Sequence, residues 1–379
     1  MDWCPIWSYH FQNYESLPAV VAGITQFTRI VSVVDAKKVR LLFSNENGKY
    51  DVVFRDGKFL SNHKARCITW NGSKELLLHP GETKLTDELD VSVKKGEVLS
   101  VEVKPEGLFT GYAGFNSASF FHVKFQKTSG EGIHPSEFSE VVRKPFNSYV
   151  CFGIRGIEVL TENKPEIITV FGDSLVHQGH WFQEMYQKSF EQNEMEVFVN
   201  EGISGNRVLH DANTNSSVNS VFGMAGIRRL KRDVFFRYHP GTVIIAEGIN
   251  DLIHPGTCCP KKELPTSEEL IWGLKELGNI VKNNGSQLIL ATLSPFYGYD
   301  QSWNEQKEKI RQEVNAWIRE QELVLDIDKY VRDEEKNMCL CEAFDSGDHL
   351  HFNQLAGKKI AERWTGNEKN LYMLSRRQI

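Results

Sequence analysis

The sequence predicts two domains of different class: an antiparallel β-sandwich over residues 1–163, followed by an α/β domain on a parallel sheet over residues 164–379. Three observations carry this expectation. At 379 residues the chain is long enough for two domains of the usual size, roughly 100–200 residues each. Its first part is a series of short β-branched and aromatic runs divided by turn signals. Its second part alternates apolar strand-like runs with helical stretches.

In the first part the runs are Thr28–Val34, Val39–Phe43, Asp51–Phe54, Val91–Val93, Leu99–Val103 and Ser119–Phe125. Glu46–Gly48, Asp56–Gly57, Asn71–Gly72, Pro80–Gly81 and Lys94–Gly96 punctuate them. Many short strands at that spacing predict an antiparallel sandwich or barrel. Residues 127–148, with Ser, Gly and Pro, predict a long loop. Tyr149–Leu160 predicts one returning strand, and Thr161–Pro165 the boundary between the domains.

Beyond it the rhythm changes. Ile167–Phe171 precedes a helix from about Trp181, Val197–Val199 the loop Asn200–Arg207, and Thr242–Ala246 the segment Glu247–Asp251. Gln287–Ala291 leads into Thr292–Tyr299, and Leu323–Asp326 comes last before a closing helix around Gln354–Trp364. The clearest helix is Asn304–Glu320, where Ile310, Val314, Trp317 and Ile318 recur at helical spacing. Such alternation predicts βαβ units and a parallel sheet. In sheets of that kind ligands bind beyond the carboxyl ends of the strands.

Composition narrows the function classes. Hydrophobic residues at 40% and charged residues at 25% are ordinary for a globular chain with a proper core. A net charge of −6, from 44 basic and 50 acidic residues, disfavours a general nucleic-acid binder. No run reaches the roughly 20 apolar residues of a membrane-spanning helix, and the first residues lack the pattern of a secretory leader. The seven cysteines (Cys4, Cys67, Cys151, Cys258, Cys259, Cys339 and Cys341) show neither a disulfide framework nor a zinc spacing. A cytoplasmic location is the expectation. Nothing in the sequence fixes an oligomeric state.

The chemistry-bearing residues all follow predicted strands. They are Gly172-Asp173-Ser174-Leu175, then Gly202-Ile203-Ser204-Gly205-Asn206, then Gly248-Ile249-Asn250-Asp251, and near the end Asp348-His349-Leu350-His351. Each alone has a plain structural explanation as a turn or loop start. Together, in this order, they resemble the SGNH (GDSL) hydrolase superfamily, whose four blocks carry Ser, Gly, Asn and His. Ser174, Gly205, Asn250 and the pair Asp348 and His351 stand at the matching positions. Longer stretches, among them VNEGISGNRVLHD and DSGDHLHFNQLAGKKIA, resemble a bacterial esterase subfamily that also carries an N-terminal β-domain. KKVRLLFSNENG and HPGETKLTDELDVSVKKGEVLSVEV look like strands of that domain. The resemblance implies a flavodoxin-like, three-layer α/β/α hydrolase domain after a jelly-roll-like sandwich. It also implies an acyl-enzyme cycle without metal or cofactor.

The chemistry makes sense of those residue types. A serine hydroxyl is a poor nucleophile until a base takes its proton. His351 would be that base, and Asp348 would hold the far ring nitrogen, as the third member of a triad does. The N–H groups of Ser174 and Gly205 and the amide of Asn250 would form the oxyanion hole. His349 competes with His351 for the role of base, and the family spacing favours His351. Asp173 reads as a turn and helix-cap residue, and Asp251 as a residue holding its loop.

After the serine the chain departs from the commonest form of the first block. His177, His180 and Trp181 could line the substrate pocket or simply pack the first helical turns. His177 and His180 have no evident third partner for a metal. Arg228-Arg229-Leu230-Lys231-Arg232 reads as a solvated helix face, because Ile227, Leu230 and Val234 recur at helical spacing. Cys258-Cys259 reads as two reduced cysteines in a loop near the cleft. Phe296, Tyr297, Tyr299 and Trp303 could stack on a sugar or pack their loop.

The substrate expectation is a small acyl group, acetyl foremost, on a carbohydrate or other polar alcohol. The alternatives are a lysophospholipase or thioesterase using the same residues, and a glycan-binding protein with a vestigial hydrolase domain.

Overall fold

The computed structural model describes residues 1–62, 64–116, 121–127, 148–212 and 219–364. It divides into two compact units, residues 1–166 with 195–199, and residues 167–194 with 200–379. The predicted loop at 127–148 falls almost wholly outside the described residues, as do Ser119 and Phe120 of one predicted strand.

In the first unit every named strand pairing is antiparallel. One sheet runs Asp2–Ser8, Ile154–Thr161, Ala36–Ser44, Leu89–Val93, with Thr83–Leu85 also on Ala36–Ser44. The larger runs Phe121–Lys127, Ile24–Val31, Val98–Phe109, Val52–Ser61, Lys64–Cys67, with Ala19–Val21 and Glu75–Leu78 at its margins. A third, small sheet joins Ser148–Cys151, Gly111–Asn116 and Gln12–Asn13. Val98–Phe109 shows why the sheets stack. Leu99, Val101 and Val103 are fully buried while the residues between them are not, which is the period of two a sheet needs to bury one face. Across the sandwich the Phe43 ring meets Phe54 edge-on at 5.0 Å and Trp70 at 5.1 Å. On the outer face Lys58 pairs with Glu102 across neighbouring strands, and Arg55 with Glu75.

The opening residues form the strand Asp2–Ser8, which the sequence did not single out. One expectation for this unit needs correction. The predicted single strand Tyr149–Leu160 is two, separated at Gly153. That glycine has φ 73°, and a Cβ there would lie 2.0 Å from the Phe54 ring, so the chain turns where no side chain fits.

The second unit is built on a five-stranded sheet, whose second strand begins within residues 195–199. Its strands are β1 (Glu166–Gly172), β2 (Glu196–Gly202), β3 (Thr242–Ala246), β4 (Gln287–Ala291) and β5 (Val324–Leu325). The spatial order is 2-1-3-4-5, with β1–β3, β3–β4 and β4–β5 parallel. That is the flavodoxin-like order, in which the chain reverses direction across the sheet beside β1 and opens a crevice there. β1 and β2 are buried almost throughout, as expected of strands covered on both faces.

The helices are α1 (Ser174–His177), α2 (His180–Glu191), α3 (Gly226–Phe235), α4 (Ile249–Ile253), α5 (Ser267–Asn283), α6 (Glu305–Arg319), α7 (Ile327–Val331) and α8 (Gln354–Arg363). α2 and α8 pack together, and α3, α5 and α6 form a second group. In that second group Leu230, Val234, Leu274, Leu277, Val314 and Ile318 join Val243, Ile245 and Leu290 of the sheet in one apolar core. This is the three-layer arrangement. α6 matches the predicted helix and is capped by Asn304, whose side chain accepts from the Lys307 N–H. Among the described residues no helix is long and apolar enough to cross a membrane.

Candidate active site

The carboxyl end of β1 turns directly into α1. Gly172 allows the tight passage, since a Cβ there would lie 2.1 Å from the Ala246 carbonyl of β3. Asp173 then caps α1, its carboxylate accepting the Leu175 N–H at 2.9 Å. Ser174 is the first residue of α1, so its backbone N–H has no carbonyl within the helix to bond.

From the far end of the chain a loop brings two more groups to this serine. His351 Nε2 lies 2.9 Å from Ser174 Oγ, and His351 Nδ1 lies 2.6 Å from Asp348 Oδ2. Asp348 Oδ1 accepts the N–H groups of Leu350 and His351 at 3.1 and 2.9 Å. The carboxylate therefore fixes both the ring and the turn that presents it. Burial would push the Asp348 carboxyl upward, but the bonds from the His351 ring and from the two N–H groups outweigh it. Its pKa is held down at about 2. His349 points elsewhere: its Nδ1 sits 2.8 Å from Asp345 Oδ2, with the side chain 59% exposed. Tyr299 flanks His351, ring centroids 6.1 Å apart. Burial, reinforced by His351, pushes the imidazole of His180 down to about 4, so this second histidine stays neutral near pH 7.

After β2, Gly205 takes φ 78°, and a Cβ there would fall 1.9 Å from the Phe222 ring. Asn206 follows, its amide donating to the carbonyls of Phe222 and Met224 at 2.6 and 2.7 Å. After β3, Asn250 in α4 donates from Nδ2 to the Asn206 carbonyl at 3.0 Å. An amide nitrogen carries two N–H donors, and among the described residues this bond uses one. Asp251 accepts the N–H groups of Val208 and Leu209 at 2.7 and 3.0 Å, holding the turn after Gly205 onto α4. It is thus the loop holder the sequence suggested.

The candidate pocket residues separate. Trp181 and Phe296 are both fully buried, and the Trp181 indole N–H donates to the Leu175 carbonyl at 2.7 Å. Both pack into the framework, the second of the two readings that the sequence left open. His177 is also buried, its Nδ1 2.9 Å from Ser204 Oγ, so it joins α1 to the turn after β2. His180 is half-buried near His351, and Tyr297 is 46% exposed with its ring edge-on to Trp303 at 4.8 Å.

Sequence reasoning missed Arg229. Its guanidinium is completely buried, contrary to the solvated face expected of residues 228–232. The signal was available: Arg229 and Asp233 share the i, i+3, i+4 spacing of Gly226, Leu230 and Val234. Among the described residues no cluster of His, Cys, Asp and Glu could hold a metal ion. A cavity of about 1080 Å³ lies at α7 and α8, lined by Lys329, Arg332, Glu335 and Arg363 among others, and includes none of the groups above.

A family model described as GDSL-like lipase/acylhydrolase matches residues 170–357. Comparison with curated proteins finds no match. Among solved structures, a G-D-S-L family protein from Desulfitobacterium hafniense is 21% identical over 53% of this chain and 97% of its own, with a TM-score of 0.38. A GDSL-like lipase from Bacteroides thetaiotaomicron is 17% identical over 56% and 92%, with a TM-score of 0.40. A carbohydrate acetylesterase from Sinorhizobium meliloti is 13% identical over 55% and 99%, with a TM-score of 0.40.

Proposed function

Residues 170–357 belong to the GDSL-like lipase/acylhydrolase family and the protein is a carboxylic ester hydrolase; on that premise we propose that Ser174 is its nucleophile, His351 its general base and acid, and Asp348 the group that orients His351. The single observation behind this reading is the unbroken chain from Ser174 Oγ to His351 Nε2 at 2.9 Å and from His351 Nδ1 to Asp348 Oδ2 at 2.6 Å.

The steps follow from that chain. Ser174 Oγ attacks the ester carbonyl carbon while His351 Nε2 takes the hydroxyl proton. The carbonyl oxygen gathers negative charge, which the N–H groups of Ser174 and Gly205 and the amide of Asn250 receive. Asp348, ionised down to about pH 2, stabilises the imidazolium. Collapse of the intermediate breaks the C–O bond, and His351 hands its proton to the departing alcohol. Water then attacks the acyl-serine through the same base and frees the acid.

We further propose a short acyl group, acetyl foremost, on a carbohydrate or other polar alcohol. The groups beside His351, namely His180 and Tyr299, are polar and aromatic, which suits a hydroxyl-rich leaving group better than an alkyl chain. Hydrolysis of p-nitrophenyl esters from acetate to palmitate tests this directly. The expected rate is highest at acetate and falls with chain length. A maximum at long chains replaces the reading with a lipid or thioester hydrolase using the same residues.

A further inference from the structure

A guanidinium has five N–H donors in a fixed planar fork. Arg229 uses all five inside the protein. Nε donates to Asn206 Oδ1 at 2.7 Å. Nη1 donates to the Glu201 carbonyl at 2.9 Å and to Asp233 Oδ2 at 3.1 Å. Nη2 donates to the Gly172 carbonyl at 2.8 Å and to Glu247 Oε2 at 3.3 Å. The Phe171 ring lies under the guanidinium, 3.9 Å from its carbon to the ring centroid.

The partners are distributed in a telling way. Gly172 closes β1, two residues before Ser174. Glu201 and Asn206 bracket Gly205, and Asn206 also offers its carbonyl to Asn250 Nδ2. Glu247 follows β3, three residues before Asn250. One cation therefore binds the roots of the three turns that bear the nucleophile and both further donors of the proposed oxyanion hole. A salt bridge whose only task was to stabilise α3 would need Asp233 alone. Burying a cation so completely is costly unless its bonds are satisfied, and here four of the five go to residues of those turns.

We infer that Arg229 is a positioning residue for the ester hydrolysis, holding the three strand-end turns in register so that Ser174, Gly205 and Asn250 converge on one oxygen. The inference rests on the proposed roles of those three residues. Arg229 touches no reacting atom and acts through Asn206 and the Gly172 carbonyl. Lysine cannot replace it, since an ammonium has three donors from one point and cannot bridge five acceptors.

The test is a kinetic cycle on the full chain, with p-nitrophenyl acetate, using Arg229→Lys, Asn250→Ala, the double variant and Ser174→Ala. A misplacement of about 1 Å costs up to about 10²-fold in rate. Arg229→Lys is therefore expected to lower kcat about 10- to 100-fold while KM changes less than about threefold. In the Asn250→Ala background the same substitution is expected to cost clearly less than in the wild type, because one of the donors it positions is already gone. If the two losses multiply in full, or if kcat is unchanged, Arg229 is only structural and the inference is overturned. Should Arg229→Lys not fold, Asn206→Ala removes the Nε acceptor and is expected to show the same kcat loss at near-constant KM. An unchanged kcat there also overturns the inference. Ser174→Ala separates the two levels. If it is inactive while Arg229→Lys is fully active, only the brace fails; if it retains turnover, the proposed site fails and the brace with it.

Discussion

At the scale of single residues, the two histidines of Asp348-His349-Leu350-His351 illustrate how one turn sorts near-identical groups. His351 is buried between Ser174 and Asp348, whereas His349, at φ 69°, carries its ring outward to Asp345. His351→Ala is expected to bring turnover down nearly to that of Ser174→Ala, and His349→Ala to change kcat only a few-fold, as steady-state kinetics on p-nitrophenyl acetate will register. The reverse ranking would exchange their roles. The sequence favoured His351 through family spacing alone; the hydrogen bonds supply the physical reason.

Asp173 poses a different question. Burial, with the Asp251 carboxylate nearby, raises its pKa, although the Leu175 N–H and the Arg229 cation work the other way. A carboxyl whose folded pKa exceeds its unfolded value near 3.9 adds stability at low pH that is lost as pH rises through the folded value. Asparagine keeps the cap and cannot ionise. The Tm of Asp173→Asn relative to wild type should therefore rise between pH 5 and pH 8. A difference independent of pH would mean that Asp173 does not titrate there. Asp348 behaves oppositely: its contribution is present above about pH 4 and is lost only as pH falls through about 2.

Secondary elements set the turns. The strands of the second unit and the helices α2, α6 and α8 were legible because their signals are local: apolar runs for β1 to β5, and an apolar stripe for α6; the long α5 was not singled out. The short α1 and α4 were not, since four or five residues carry no periodicity, and what places them is the passage from strand to helix at Gly172 and Gly248. Arg229 was misjudged for a related reason. Charge in a helix normally marks the wet face, and the spacing that puts Arg229 with Gly226, Leu230 and Val234 was the one local sign against it. The split at Gly153 likewise depends on the Phe54 ring, which is about 100 residues away in sequence.

Gly205 is where element geometry should be most sensitive. An alanine there pays about 1–2 kcal/mol for its positive φ and must also displace Phe222. Gly205→Ala is thus expected to lower kcat by about 10²-fold or more, the cost of one oxyanion donor. Its Tm should fall by only a few degrees. A loss of Tm with kcat unchanged would remove Gly205 from the hole. Thr266 offers a contrast far from the site. It caps α5 reciprocally with Glu269, so Thr266→Ala should cost about 0.5–2 kcal/mol of stability and leave kcat unaltered.

For the whole molecule, the fold class of both units could be read from rhythm alone, because strand alternation and βαβ alternation are long-range regularities that many residues reinforce together. The meeting of Ser174 with His351 and Asp348, and of Asn250 with the turn after Gly205, could not be read that way. Ser174 and His351 are 177 positions apart in sequence, and the 2-1-3-4-5 sheet order brings the strand ends to one crevice. The motifs indicated which residues to watch, and the topology explains why they meet.

The central claim is that Ser174 is the activated nucleophile. Its most direct test is covalent labelling with a fluorophosphonate, read by peptide mass spectrometry on the intact protein. One adduct is expected, on the peptide containing Ser174, slowed strongly in His351→Ala and absent from Ser174→Ala. An adduct on another residue, or equal labelling of wild type and Ser174→Ala, would contradict the account.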